Sequence, residues 1–237
     1  MINYAITFDY KFSSGLGSYY HSRFIKDVNI NINLTDDNEL VLEQIGEAKF
    51  LIFHAGNVLN SEYELFDVLE SHSRYISGLI FDIYDSEEDG FTEIINDAYF
   101  DINNYNLCLI DKITISPKYR GFQIGSKLIK DIIFNHSEAC GLFAIHPFPL
   151  QFEAEAESEE YKRLELGNFE KNKEKATKKL HNYFKSIGFD AIPEIEYLLF
   201  YNPVYENKRF DTIDLDDDKI LDENLLNELR KIYPPEY

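Results

Sequence analysis

Gly121 and Gly125 fall within the run Ile-Thr-Ile-Ser-Pro-Lys-Tyr-Arg-Gly-Phe-Gln-Ile-Gly that spans residues 113–125. Apolar residues alternate before the run and recur at helical spacing after it, so the run joins a strand to a helix. The first amides of a helix have no intrahelical acceptor, and the helix dipole favours an anion beside them. Glycine lets the backbone come close to such an anion. Lys118, Arg120 and Lys127 add positive charge at the same place. This combination suits a phosphate or pyrophosphate.

The charge distribution sharpens that reading. The chain has a formal charge of −20, which disfavours nucleic-acid partners by phosphate repulsion. Residues 112–130 nevertheless carry Lys112, Lys118, Arg120, Lys127 and Lys130 with no acid. Residues 171–185 carry Lys171, Lys173, Lys175, Lys178, Lys179 and Lys185 against Glu174 alone. A basic enclave in an acidic chain fits a small polyanion held at one place.

Around this segment the elements are legible from periodicity. Residues 3–12 and 23–34 alternate as half-buried strands do, and the intervening Gly15-Leu16-Gly17 has no third glycine or helix to make a dinucleotide loop. Residues 48–54 read as a buried strand. Ser61 with Glu64 forms a capping box that predicts a helix from about Glu62. Residues 74–98 read as helical or irregular, interrupted by the acidic turn DSEEDG.

Residues 106–115 form a central strand ended by Pro117, and Ile124, Leu128, Ile129, Ile132 and Ile133 line a helix from Gln123 to about His136. Residues 140–146 give another strand. The acidic run 153–160, which contains Glu153, Glu155, Glu157, Glu159 and Glu160, reads as a solvated loop or frayed helix. Ala176, Leu180, Tyr183, Phe184 and Ile187 predict a second amphipathic helix stopped by Gly188, and residues 195–201 a last strand. After Asp216-Asp217-Asp218, Leu221, Leu225, Leu229 and Ile232 predict a tail helix.

With 44% hydrophobic residues, 19 Phe and 17 Tyr, the chain can build a sizeable core. No apolar run approaches a membrane span, and the first residues do not form a secretory signal. Cys108 and Cys140 lie in apolar stretches and are expected as buried free thiols. A cytoplasmic location is therefore expected, without membrane association. None of the six histidines has metal-ligand spacing, so no metal site is expected.

The segment resembles the central motif of the GCN5-related N-acetyltransferases, the GNAT superfamily. That motif reads apolar-x-apolar-x-Pro-x-Tyr-Arg-Gly-x-Gly-Ile-Gly before an apolar-faced helix. It is matched at Ile113, Ile115, Pro117, Tyr119, Arg120, Gly121, Ile124 and Gly125, and departs at Gln123, where the family most often has glycine. A second stretch, Tyr183 to Phe189, is similar to the family's Leu-Tyr-Glu-Lys-Leu-Gly-Phe-like helix end.

The resemblance covers about residues 105–203, with 150–172 as an acidic insertion. Residues 1–104 are left as the N-terminal part of the domain or an extension, and 204–237 as an acidic helical tail. It implies an α/β (α+β) fold: a mixed, mostly antiparallel central sheet with helices on both faces and splayed central strands.

The resemblance also implies an acetyl-CoA-dependent N-acetyltransferase acting by direct attack of a primary amine. The pyrophosphate would lie on the amides of Arg120, Gly121, Phe122, Gln123, Ile124, Gly125 and Ser126, beside Lys127. The pantetheine arm would pair with Ile113, Thr114 and Ile115 where the strands splay. Asp111, on the motif strand with the parity of Ile113 and Ile115, and His146, at the end of the next strand, are the candidate bases; His54 is expected to be structural.

The family's usual general-acid tyrosine aligns with Phe184, which has no proton to give. Tyr183 lies one residue earlier, about 100° around the helix. Either Tyr183 or water would then protonate the thiolate, or the chain is a non-catalytic acyl-CoA-binding or protein-interaction module. The acceptor is a small-molecule or protein amine. The acidic surplus favours a cationic one, and a solvated acidic loop accounts for the same residues. Homodimerisation stays open, and a toxin acting on aminoacyl-tRNA is disfavoured by the charge.

Overall fold

A computed structural model of the protein describes residues 4–13, 23–85, 90–100, 102–156, 158–215 and 221–233. Gly15-Leu16-Gly17, the centre of DSEEDG, Glu157 and Asp216-Asp217-Asp218 lie outside the described residues.

Alternation sets the first strands. β1 (Ala5–Lys11) pairs antiparallel with β2 (Ile25–Thr35), and β2 turns Val28, Ile30, Ile32 and Leu34 into one core while Asn29, Asn31 and Asn33 occupy the other face. β3 (Val41–Phe53) is longer than the apolar run 48–54 predicts. Its first half mixes apolar and polar residues without strict alternation and is irregularly registered against β2, with shifts after Ile32 and after Leu34, so hydropathy does not betray it.

Short helices follow: α1 (Ala55–Leu59), α2 (Leu65–His72) and α3 (Arg74–Ile80), then the ribbon β4 (Tyr84–Asp85) and β5 (Gly90–Phe91), then α4 (Glu93–Ala98). The capping box does not form. Ser61 Oγ donates to the Val58 carbonyl and accepts from Tyr63 N, so the chain turns there and α2 begins only at Leu65.

β6 (Leu107–Ile115) leads through a 3₁₀ turn at Pro117–Tyr119 into α5 (Ile124–His136), and β7 (Leu142–Ile145) follows. The predicted insertion contains α6 (Glu159–Arg163), started by the Ser158 side chain, which accepts from Tyr161 N. α7 (Lys173–Ser186), β8 (Asp190–Ala191), β9 (Leu199–Tyr201), α8 (Lys208–Asp211) and α9 (Glu223–Ile232) complete the order. β9 covers only the end of the predicted strand 195–201. Asp222 caps α9, its side chain accepting from Leu225 N.

The main sheet runs β1-β2-β3-β6-β7-β9-β8, and within it only β6 and β7 are parallel. The first hundred residues therefore supply three strands of the same sheet rather than a separate unit. Both faces are covered. Cys108, Ile110, Phe143 and Ile145 join α5 and α9 in one core, and Leu107, Leu109, Leu142 and Ala144 join α1 to α4 in the other. This is a mixed α/β architecture with a mostly antiparallel sheet. Cys108 and Cys140 are buried free thiols. Among the described residues, no helix is long and apolar enough to cross a membrane.

Candidate functional site

The turn between β6 and α5 is pinned by its aromatic residue. Tyr119 is fully buried and its hydroxyl donates to Glu43 Oε2 at 2.7 Å, tying the turn to β3. Burial, with that carboxylate, pushes its pKa well up, so it stays a donor. Gly121 has φ +89°, which favours glycine. Gln123 adopts the left-handed conformation at φ 59°, which glycine reaches without the steric cost that a Cβ brings.

α5 then begins without a side-chain cap. Arg120 N donates to the Pro117 carbonyl and Lys127 N to the Gln123 carbonyl. No amide from Gly121 through Ser126 donates to any described residue. A row of free amides at a helix start is an anion-binding surface.

The positive side chains divide differently from the sequence expectation. Lys118 is exposed beside the turn. Lys127 is buried, and its ammonium donates to the Asp214 carbonyl instead of facing the turn. Arg120 Nε donates to the Ile115 carbonyl at 2.9 Å and an Arg120 Nη to the Leu164 carbonyl at 2.7 Å. Its guanidinium lies 4.9 Å from the Phe169 ring, so it clamps the insertion to the end of β6. Lys112 Nζ reaches Glu160 Oε1 at 2.7 Å, a second tie to the insertion.

β6 and β7 pair only from Leu107↔Leu142 to Ile110↔Ile145. β6 runs on to Ile115, so its edge toward β7 is unpaired over Ile113, Thr114 and Ile115. The other edge stays paired with β3, but Lys49 opposes Lys112 while Phe50 opposes Ile110. Asp111 is thus the extra residue of a bulge. The bulge corrects the expected parity: Ile110, Ile113 and Ile115 share the α5 core, whereas Asp111 acts on Tyr75 and His146.

His146 leaves β7 where this splay opens, and its Nδ1 lies 2.8 Å from the Tyr75 hydroxyl of α3. The two ring centres are 6.2 Å apart, and Phe148 packs 5.6 Å from the imidazole. Lys173 Nζ sits 4.7 Å from the centre of the Phe148 ring. Burial lowers the His146 pKa, with smaller pushes from His181 and Lys173, while Asp111 opposes them. The imidazole is therefore neutral near pH 7 and able to accept a proton. Tyr75 keeps 55% of its surface exposed. Burial pushes its hydroxyl up to about 12, helped by the charges of Asp111 and Glu153.

Tyr183 goes elsewhere. The residue is 40% exposed, and its hydroxyl reaches the first turn of α5, where a Cβ added at Gly125 would lie 3.5 Å from the oxygen. It borders the start of α5 rather than joining His146 and Asp111. Phe184 packs against the α5 core. Burial, with Lys26 beside it, lowers the pKa of His54. Tyr75 was missed in the sequence because the spacing of Ile76, Leu79 and Ile80 explains α3 without it. Two cavities lie away from this region, one of about 400 Å³ lined by Thr7, Asp9 and Asp36 among others, and one of about 520 Å³ beside Tyr99, Asn202 and Arg209. Among the described residues, no group of three or more His, Cys, Asp or Glu could hold a metal.

No family model, curated protein or solved structure matches the chain.

Proposed function

We propose that the protein is an acetyl-CoA-dependent N-acetyltransferase of the GNAT type, transferring the acetyl group to a primary amine. The observation that carries this reading is the row of free amides from Gly121 to Ser126 at the start of α5. It lies at the end of the strand whose outer edge opens after Ile110. A pyrophosphate on the amides and an amide-bearing arm along Ile113, Thr114 and Ile115, whose last carbonyl is already held by Arg120, would engage both stretches of backbone with one ligand. The sheet order, with its single parallel pair splaying at the centre, supports the same reading.

The acceptor amine would attack the thioester carbonyl directly beside His146 and Asp111. Catalysis would then rest on positioning and on proton removal. The chain would work in the cytoplasm, without a nucleic acid or membrane partner.

One observation favours a binding module without turnover: the Tyr183 hydroxyl borders the α5 start, and Phe184 has no proton to give. Calorimetric titration with CoA and with pantetheine tests the ligand. CoA should bind at least about 100-fold more tightly than pantetheine, about 2.7 kcal/mol, because only CoA carries the pyrophosphate. Equal affinities would remove the turn from the reading. Thiol release from acetyl-CoA in the presence of amines separates the enzyme from the module.

A further inference from the structure

We infer that His146 is the catalytic base on the acceptor side of the sheet, that Tyr75 positions it, and that the acceptor arrives as a primary ammonium ion. This inference rests on the acyltransferase reading.

The argument begins with the position of the pair. The last paired residues of the parallel strands are Ile110 and Ile145, so Asp111 and His146 are the next residues on either side of the opening. α3 reaches this point from the helical layer on one face and delivers Tyr75 to His146 at 2.8 Å. α5, with its free amides, belongs to the opposite face. A donor held at α5 and threaded through the splay would therefore present its thioester to Tyr75 and His146.

The charges around the pair select the form of the substrate. Asp111 from β6 and Glu153 from the insertion both act on Tyr75, and Asp111 also acts on His146. Lys173 and His181 from α7 act on His146 from the other direction. Two carboxylates beside a neutral imidazole draw an ammonium ion and leave a base to deprotonate it.

At 2.8 Å the Tyr75–His146 contact admits either tautomer of the imidazole. With Nδ1–H of His146 donating to the Tyr75 oxygen, the Nε2 lone pair is left as the base. When Nε2 takes a proton, Asp111 stabilises the imidazolium.

The step balances. The ammonium gives one proton to His146, and the nitrogen attacks the carbonyl carbon as its C–N bond forms. The C–S bond breaks, the nitrogen passes its second proton to the thiolate, and His146 releases the first to water. The products are the N-acyl amine, free CoA thiol and one proton.

The test uses the full chain, acetyl-CoA, and 1,4-diaminobutane and Nα-acetyl-lysine amide as amines. His146→Gln should lower kcat about 100-fold or more and abolish the acid limb of the pH profile. Tyr75→Phe should lower kcat about tenfold, leave the amine KM within about twofold and displace that limb. In the free protein, ¹⁵N shifts should report an Nδ1-protonated His146, changing to Nε2-protonated in Tyr75→Phe. An Nε2-protonated ring in the wild type, or either variant turning over at the wild-type rate, overturns the pair. Acetyl-CoA binding without thiol release by either amine overturns the acceptor assignment. Failure to bind acetyl-CoA at all overturns the reading beneath it.

Discussion

α5 and α7 are of nearly equal length, 13 and 14 residues, and both are lysine-rich, but they use their ends and their lysines in opposite ways. α7 is capped by Asn172, whose side chain accepts from Lys175 N, and Lys173, Lys175, Lys178, Lys179 and Lys185 are exposed. α5 starts with bare amides, while Lys127 and Lys130 reach inward to the carbonyls of Asp214, Phe210 and Ile213. The basic enclave in the sequence is therefore two different things. In α7 it is a solvated cationic surface, and in α5 the charge holds the chain beyond β9 while the backbone is left to meet a ligand. Lysine content marks neither function by itself; what distinguishes the helices is whether the first turn is satisfied from within.

That contrast can be broken at several points. The largest effect is expected at Gly125→Glu, which puts a carboxylate among the free amides and should weaken acetyl-CoA binding at least about 100-fold. Gly125→Ala is the control, since its Cβ meets only the Tyr183 oxygen at 3.5 Å, an ordinary contact. Unchanged affinity of folded Gly125→Glu would end the distinction between the two helix starts.

Lys127→Met should cost about 1–3 kcal/mol of stability in denaturant melts, as expected for losing a hydrogen bond from a buried charge. Lys178→Ala on α7 should stay within about 0.5 kcal/mol. Equal costs would show that both lysine sets are surface charge.

Asn172→Ala should destabilise by about 1 kcal/mol, because α7 depends on its cap. At the matching position of α5, Gln123→Gly should stabilise by about 0.5 kcal/mol: relief of left-handed strain outweighs glycine's added chain entropy. A loss of stability there would mean that the glutamine side chain supports the turn.

The smallest effect concerns pH. α5 ends on His136 and α7 carries His181, and burial lowers both pKa values. The unfolded chain then takes up these protons first as pH falls, so stability present above about pH 6.5 is lost below it. Urea midpoints should drop from pH 7.5 to 5.5, and less so in His136→Gln.

The sequence made α5 legible because its apolar spacing and the motif before it agree, and β2 because Val28, Ile30, Ile32 and Leu34 alternate with asparagines. It concealed the first half of β3, where apolar and polar residues mix without strict alternation across irregular register. It also suggested a cap at Ser61 that the local turn takes for itself. In the candidate site, the turn and His146 could be found from chain order. Tyr75 could not, because only the packing of α3 against the sheet brings it to His146. Asp111 was given the parity of Ile113 and Ile115 because alternation assumes an unbroken ladder, and the bulge at Asp111 breaks it.

That last point concerns the reading frame of β6. Cys108 and Ile110 share the α5 core with Ile113 and Ile115, an alternation that skips one position. A chain shorter by Asp111 alone would restore uninterrupted alternation with Ile113 and Ile115 still on the face of Cys108 and Ile110, whereas an unbroken ladder that retained Asp111 would turn Lys112 and Thr114 into that core. The strand could keep all its side chains and, paired without the bulge, still lose its orientation toward α5. The bulge therefore absorbs one residue more than the ladder needs, and Asp111 could be lost without turning its neighbours to the other face.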